Sequence, residues 1–182
     1  MCSNMDWVHE KVQEVETLAN ENNLEINNVE QYDRRHNLIA SGIPKQENEN
    51  LDEKVIELFN SIEGVHVEPD HISIAHRMPL SEKSRSGIPD VIVRFSSRKV
   101  RKTIYENKKK IAKSALTFDA NPRQIFISEN LTKRNNEIFY HARNLKRQGL
   151  IKYAWTKHGK VHVRKFAASE AIPIDILDDL RQ

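Results

Sequence analysis

Between Met5 and Val29 apolar side chains recur at alternating steps of three and four: Met5, Val8, Val12, Val15, Ala19, Ile26 and Val29, with Asn22 the polar member of the series. Held over more than three heptads without Gly or Pro, this alternation predicts a helix with an a/d seam, a coiled coil filling residues 1–35. One amphipathic helix packed on its own domain would show a similar stripe. The Glu, Asn and Gln residues outside the seam favour the coiled coil. Asn22 at a core position would set register, and the β-branched seam leaves dimer and trimer open. After DRRHN the period changes. NLIASGIP (37–44) reads as a strand ending in a turn, and NLDEKVIELFNSI (50–62) as a helix with Val55, Leu58, Phe59 and Ile62 on one face. HISIAHRM (71–78) is a strand, LSEKSRSGIP (80–89) a loop, and DVIVRFSS (90–97) a strand. SRKVRKTIYENKKKIAK (97–113) is a helix with Val100, Ile104 and Ile111 inward, and QIFIS (124–128) is a strand.

That order, βαββαβ, predicts an RRM-like sandwich over residues 36–128. Residues 129–182 read as a small α/β domain: a helix over 131–148 stopped by Gly149, a hairpin over 151–165, and a short acidic helix near 169–181. The expected fold class is therefore α+β, with an N-terminal coiled coil. In the first and third strands Leu38, Val91, Val93 and Phe95 should face the helices, leaving Ile39, Ile92 and Arg94 outward. RNA-recognition motifs stack bases on aromatics of the central strands. With no aromatic at these outward positions, such a sheet would bind through charge and shape, with low sequence specificity.

The net charge of +3 conceals a strong asymmetry. Residues 1–84 carry −10, residues 85–165 carry +16, and the last seventeen carry −3. A segment that basic points to a polyanionic partner, single-stranded RNA or DNA ahead of a membrane surface. The lone cysteine, Cys2, excludes an internal disulfide and any zinc cluster built on Cys pairs. No apolar run approaches the roughly 20 residues of a membrane span, and no signal peptide is visible. An intracellular protein, cytoplasmic or nuclear, is the expectation. The eight histidines are scattered, and His158 and His162, four apart, are separated by a predicted turn. No nucleophile elbow, phosphate loop or paired-carboxylate motif occurs, so no enzyme, metal or cofactor is expected.

On a helical projection, Leu131, Ile138, Ala142 and Leu145 form the apolar stripe of the fourth helix. Lys133, Tyr140, Arg143 and Arg147 fall opposite, with Asn136 among them. Arg143 and Arg147 are i, i+4 neighbours of like charge, a mildly unfavourable pair that a phosphate between them would reverse. In the hairpin, a two-residue His158-Gly159 turn or a four-residue turn places Ala154, Val161 and Val163 on one face. Tyr153, Trp155, His162 and Arg164 then share the other, a face suited to base stacking beside cations. A three-residue turn would instead bury the aromatics beside the valines.

RRHNLIASGIP, IAHRM, IPDVIVRF with its following basic helix, ISENLTKRNNEIFYHARNLKRQG and the YAWTKHGKVHVRK hairpin together resemble the first-open-reading-frame protein of LINE-type retrotransposons. They resemble equally the baculovirus few-polyhedra proteins and their insect relatives. The resemblance implies a coiled-coil oligomer, trimeric in the retrotransposon branch, that coats single-stranded RNA as a nucleic-acid chaperone without enzymatic activity. It places Arg34 and Arg35 in the RNA path, with Arg85 in the loop before the third strand. Where the family has an Arg pair early in the C-terminal helix, this chain reads Asn135 and Asn136, preceded by Arg134. With Arg77 and Lys157, the candidate contacts are thus Arg34, Arg35, Arg77, Arg85, Arg94, Arg134, Tyr140, Arg143, Arg147, Tyr153, Trp155, Lys157 and Arg164. The expected function is oligomeric single-stranded nucleic-acid binding; the alternative is a coiled-coil adaptor whose basic domains localise it to acidic partners.

Overall fold

The computed structural model describes residues 4–80, 87–111 and 125–181. The fold is mixed α+β: a long N-terminal helix and two antiparallel sheets, divided between two compact units. One unit holds Arg34–Asn130 with the hairpin tip Thr156–Lys160; the other holds Met1–Asp33, Leu131–Trp155 and Val161–Gln182.

In the first unit the elements are β1 (Asn37–Ser41), α2 (Leu51–Asn60), β2 (Ile72–Arg77), β3 (Val91–Phe95), α3 (Arg98–Asn107) and β4 (Phe126–Glu129), after α1 (Asn4–Arg34). The sheet order is β2-β3-β1-β4, with every neighbouring pair antiparallel. Period-two burial follows the sequence pattern: Leu38, Ala40, Val91, Val93 and Phe95 are buried, while Ile39, Ile92 and Arg94 lie on the other face. The buried residues meet Val55, Leu58 and Phe59 of α2 and Ile104 of α3, with the Phe59 and Phe95 rings 5.5 Å apart. Asn50 caps α2 by accepting the Glu53 N–H, which satisfies an otherwise orphaned donor. Helix α3 stops at Asn107, short of the expected 113, and Lys108–Lys110 continue as a 3₁₀ turn. Ile111 leaves the helical path to bridge Ile62.

In the second unit, α4 (Lys133–Arg147) packs its Ile138 and Ala142 on Val161 and Val163 of the hairpin, β5 (Tyr153–Lys157) and β6 (Lys160–Arg164). Helix α4 begins two residues later than expected because Thr132 is its N-cap, accepting the Asn135 N–H. It ends in a Schellman turn: Gly149, at φ 77°, donates to the Lys146 carbonyl, and Leu150 donates to Leu145. The acidic helix expected near 169–181 does not form as such. Ile172–Ile174 is a strand, β7, pairing with β6, and Leu177–Arg181 is a short 3₁₀ turn. Pro173 cannot donate within a helix, and an edge strand tolerates it.

Helix α1 buries the side opposite its seam. Numbering the seam a and d puts Leu24, Asn27 and Gln31 at f, b and f; Asn27 and Gln31 are buried and Leu24 half-buried. Among the large seam residues exposure runs from 48% at Val12 to 80% at Met5. The polar face is thus turned inward and the apolar one outward.

Candidate nucleic-acid interface

The hairpin turn decides which side chains are open. His158 and Gly159 both adopt positive φ, 55° and 80°, which matches the two-residue turn whose twist suits a hairpin. Val161 and Val163 are buried, whereas Tyr153, Trp155, His162 and Arg164 share the opposite face. Trp155 and His162 stack with centroids 5.6 Å apart and planes 20° off parallel. The Arg164 guanidinium carbon lies 5.9 Å from the Trp155 ring centroid. Tyr153 is exposed, and Trp155, His162 and Arg164 are half-buried. Lys157, at the same parity on β5, is exposed.

On α4, Lys133, Tyr140, Arg143 and Arg147 lie opposite the buried Ile138 and Ala142, with Tyr140 60% exposed. Arg143 lies 5.8 Å from the Phe139 ring, and Arg147 donates to the Asn144 side-chain oxygen at 3.0 Å. Helix and hairpin bury their apolar faces against each other, so their polar faces point in opposite directions.

Arg134 is half-buried, its Nε donating to the Asp175 carbonyl at 3.4 Å. Asn135, where the resemblance expects an arginine facing RNA, is buried instead. Its amide donates to Gln31 Oε1 at 3.1 Å and its oxygen accepts from Asn27 Nδ2 at 3.1 Å. Thr132 completes the cluster, its hydroxyl donating to Asn27 Oδ1 at 2.7 Å and its N–H to Gln31 Oε1 at 2.9 Å. No signal in the local sequence of either segment identifies this network, because its members lie about a hundred positions apart.

In the sheet unit, Arg34 and Arg35 are half-buried where α1 gives way to β1, and Arg34 donates to the Asn130 side chain at 3.3 Å. Arg94 is half-buried on the open sheet face. Arg85 lies outside the described residues. Arg77 serves the fold: its guanidinium donates to both Glu49 oxygens, at 2.6 and 2.9 Å, and to the carbonyls of Ile43, Pro44 and Pro89. That guanidinium, with Lys54 adding to it, holds the Glu49 carboxyl down to about 2 against the opposing effect of burial. The open sheet face also carries Phe126, 57% exposed, beside Ser128 on β4. Attention to the central strands alone misses this aromatic, although its period-two place beside Ile127 signals it.

Among the described residues, one trio of metal-type side chains lies within 4.8 Å: Glu68, Asp70 and His71. Glu68 and His71 already cap their 3₁₀ turn reciprocally, which accounts for their proximity. No helix among the described residues is long and apolar enough to cross a membrane.

No curated protein matches the chain. Residues 132–182 match the family described as Baculovirus FP protein domain 2; from the N-cap of α4 onward, the chain thus bears out the few-polyhedra side of the resemblance.

Proposed function

We propose that this protein is an oligomeric, non-enzymatic binder of single-stranded nucleic acid, RNA foremost, with low sequence specificity and a chaperone-like coating role. The observation that carries the reading is the hairpin face of Tyr153, Trp155, His162 and Arg164, kept open by the His158-Gly159 turn while the valines are buried. Aromatics beside cations stack any base at roughly 1–3 kcal/mol each, without reading its edge. Arg143 and Arg147 on the far side of the unit meet phosphates of another stretch of the coated polymer. The βαββαβ order and the β2-β3-β1-β4 sheet support an RRM-like reading of the first unit. The exposed apolar seam of α1, opposite a buried polar face, supports a coiled coil between copies, trimeric by the family resemblance.

Binding of fluorescent single-stranded RNA at several salt concentrations tests this. With about six phosphates contacted per protomer, log K should fall against log salt with a slope near −4. Salt-independent affinity, or no binding at low salt, would sink the proposal. Charge reversal of Arg143 and Arg147 separates it from a coiled-coil adaptor, which would keep its protein partner and show no loss on RNA.

A further inference from the structure

The hairpin tip Thr156–Lys160 belongs to the same unit as α3. Tyr105 of α3 meets Thr156 through its hydroxyl, 3.1 Å from Oγ1. On the Tyr105 ring lies the Lys108 ammonium, 3.6 Å from the centroid, followed by the exposed Lys109 and Lys110. The nearby acids are already engaged: Glu129 accepts from Arg101 at 2.9 Å and from the Gly159 N–H at 3.1 Å, and Glu106 faces Lys102 at 3.8 Å. Among the described residues none of Lys108, Lys109 and Lys110 forms a salt bridge with a carboxylate.

We propose that Lys108, Lys109 and Lys110, the first of them seated on the Tyr105 ring, form a phosphate-binding site that holds the backbone of the bound nucleic acid. The proposal rests on the single-strand binding reading and adds to it a contact surface outside the aromatic hairpin face. The Tyr105 face attracts the Lys108 ammonium, but its half-burial still carries a desolvation cost that an anion would offset. Consistent with that, burial pushes Lys108 down to about 8; Glu129 opposes the shift, and Arg101 and Lys109 add to it. An arriving phosphate favours the charged form. Binding therefore takes up a proton near that pH, and affinity falls as pH rises through about 8. The groups that act on Lys108 are Arg101, Tyr105 and Lys109 from α3 and its following turn and Glu129 from β4, with Thr156 of the hairpin tip on the Tyr105 hydroxyl.

The test measures binding of fluorescent single-stranded RNA to the full chain against salt and pH, for wild type, K108A/K109A/K110A, K108R and R143A/R147A, with circular dichroism confirming the fold. Each phosphate that a variant no longer neutralises should flatten the salt slope by about 0.7. The triple variant is expected to flatten it by one to three such steps, and K108R to retain affinity while losing the pH dependence near 8. A triple variant that folds and binds like wild type, while R143A/R147A weakens binding, overturns this site and leaves the binding function standing. No binding by wild type at low salt overturns both. Inorganic phosphate added at constant ionic strength should compete weakly; competition equal in the triple variant also overturns the site.

Discussion

In the unit built on the four-stranded sheet, two ion pairs are drawn wholly or largely out of solvent, Arg77 against Glu49 and Arg101 against Glu129, beside the neutral buried Asn37 and Asn130. In the unit built on α1, α4 and the hairpin, the buried polar residues among those described are the neutral Asn27, Gln31, Thr132 and Asn135. Both arrangements satisfy the hydrogen bonding that burial demands. They differ in what breaking them leaves behind. Removing one partner of an ion pair strands a charge, whereas removing an amide strands at most dipoles. The comparison also teaches which cations are left for a ligand. An arginine held by a carboxylate and three carbonyls, as Arg77 is, has little left to offer a phosphate, whereas Arg143 on the outer face of α4 is held by neither among the described residues.

The largest effect should come from Glu129→Ala, which leaves the Arg101 guanidinium buried and the Gly159 N–H without its acceptor. A loss of about 3–5 kcal/mol in urea unfolding is expected; a much smaller change would mean that water reaches Arg101 and that the pair is not truly buried. Acid separates the two units next. The Glu49 carboxyl is held near 2 in the folded state against 4.5 ordinarily, so its contribution is full above about 4.5 and is lost as pH falls toward 2. Arg77→Met should remove that acid limb, read as unfolding midpoint against pH, while lowering stability at neutral pH. Asn27→Ala should cost least, about 1–3 kcal/mol, because the Thr132 hydroxyl and the Asn135 side-chain oxygen lose the Asn27 amide. That loss should be the same at every pH where both proteins remain folded, since no member of the cluster titrates. A pH-dependent loss would show that a charged group reaches it.

Much of the molecule is legible in the chain because much of it is periodic. Alternation in NLIAS and VIVRF gives the strand faces correctly, down to Ile39, Ile92 and Arg94 outward. The helical stripe of α4 and its stop at Gly149 are equally plain. Ile172–Ile174 is less so: its acidic flanks suggest a surface helix, while the deciding facts, a Pro between two isoleucines and a free edge on β6, involve a partner strand. Arg77 reads as one more cation beside a basic loop; only the fold brings Glu49, 28 residues away, onto its guanidinium.

By itself the sequence determines the period of each element, the apolar seam of α1, the +16 segment and the aromatic content of the hairpin. These are local: side-chain direction follows from backbone geometry, and charge is simply counted. Tertiary structure alone decides which cations are held inside, that α4 and the hairpin turn their polar faces apart, and that Tyr105, with Lys108 on its ring, meets the hairpin tip at Thr156. Such facts rest on contacts between residues tens of positions apart, whose pairing follows from how apolar faces meet and not from the spacing within either segment.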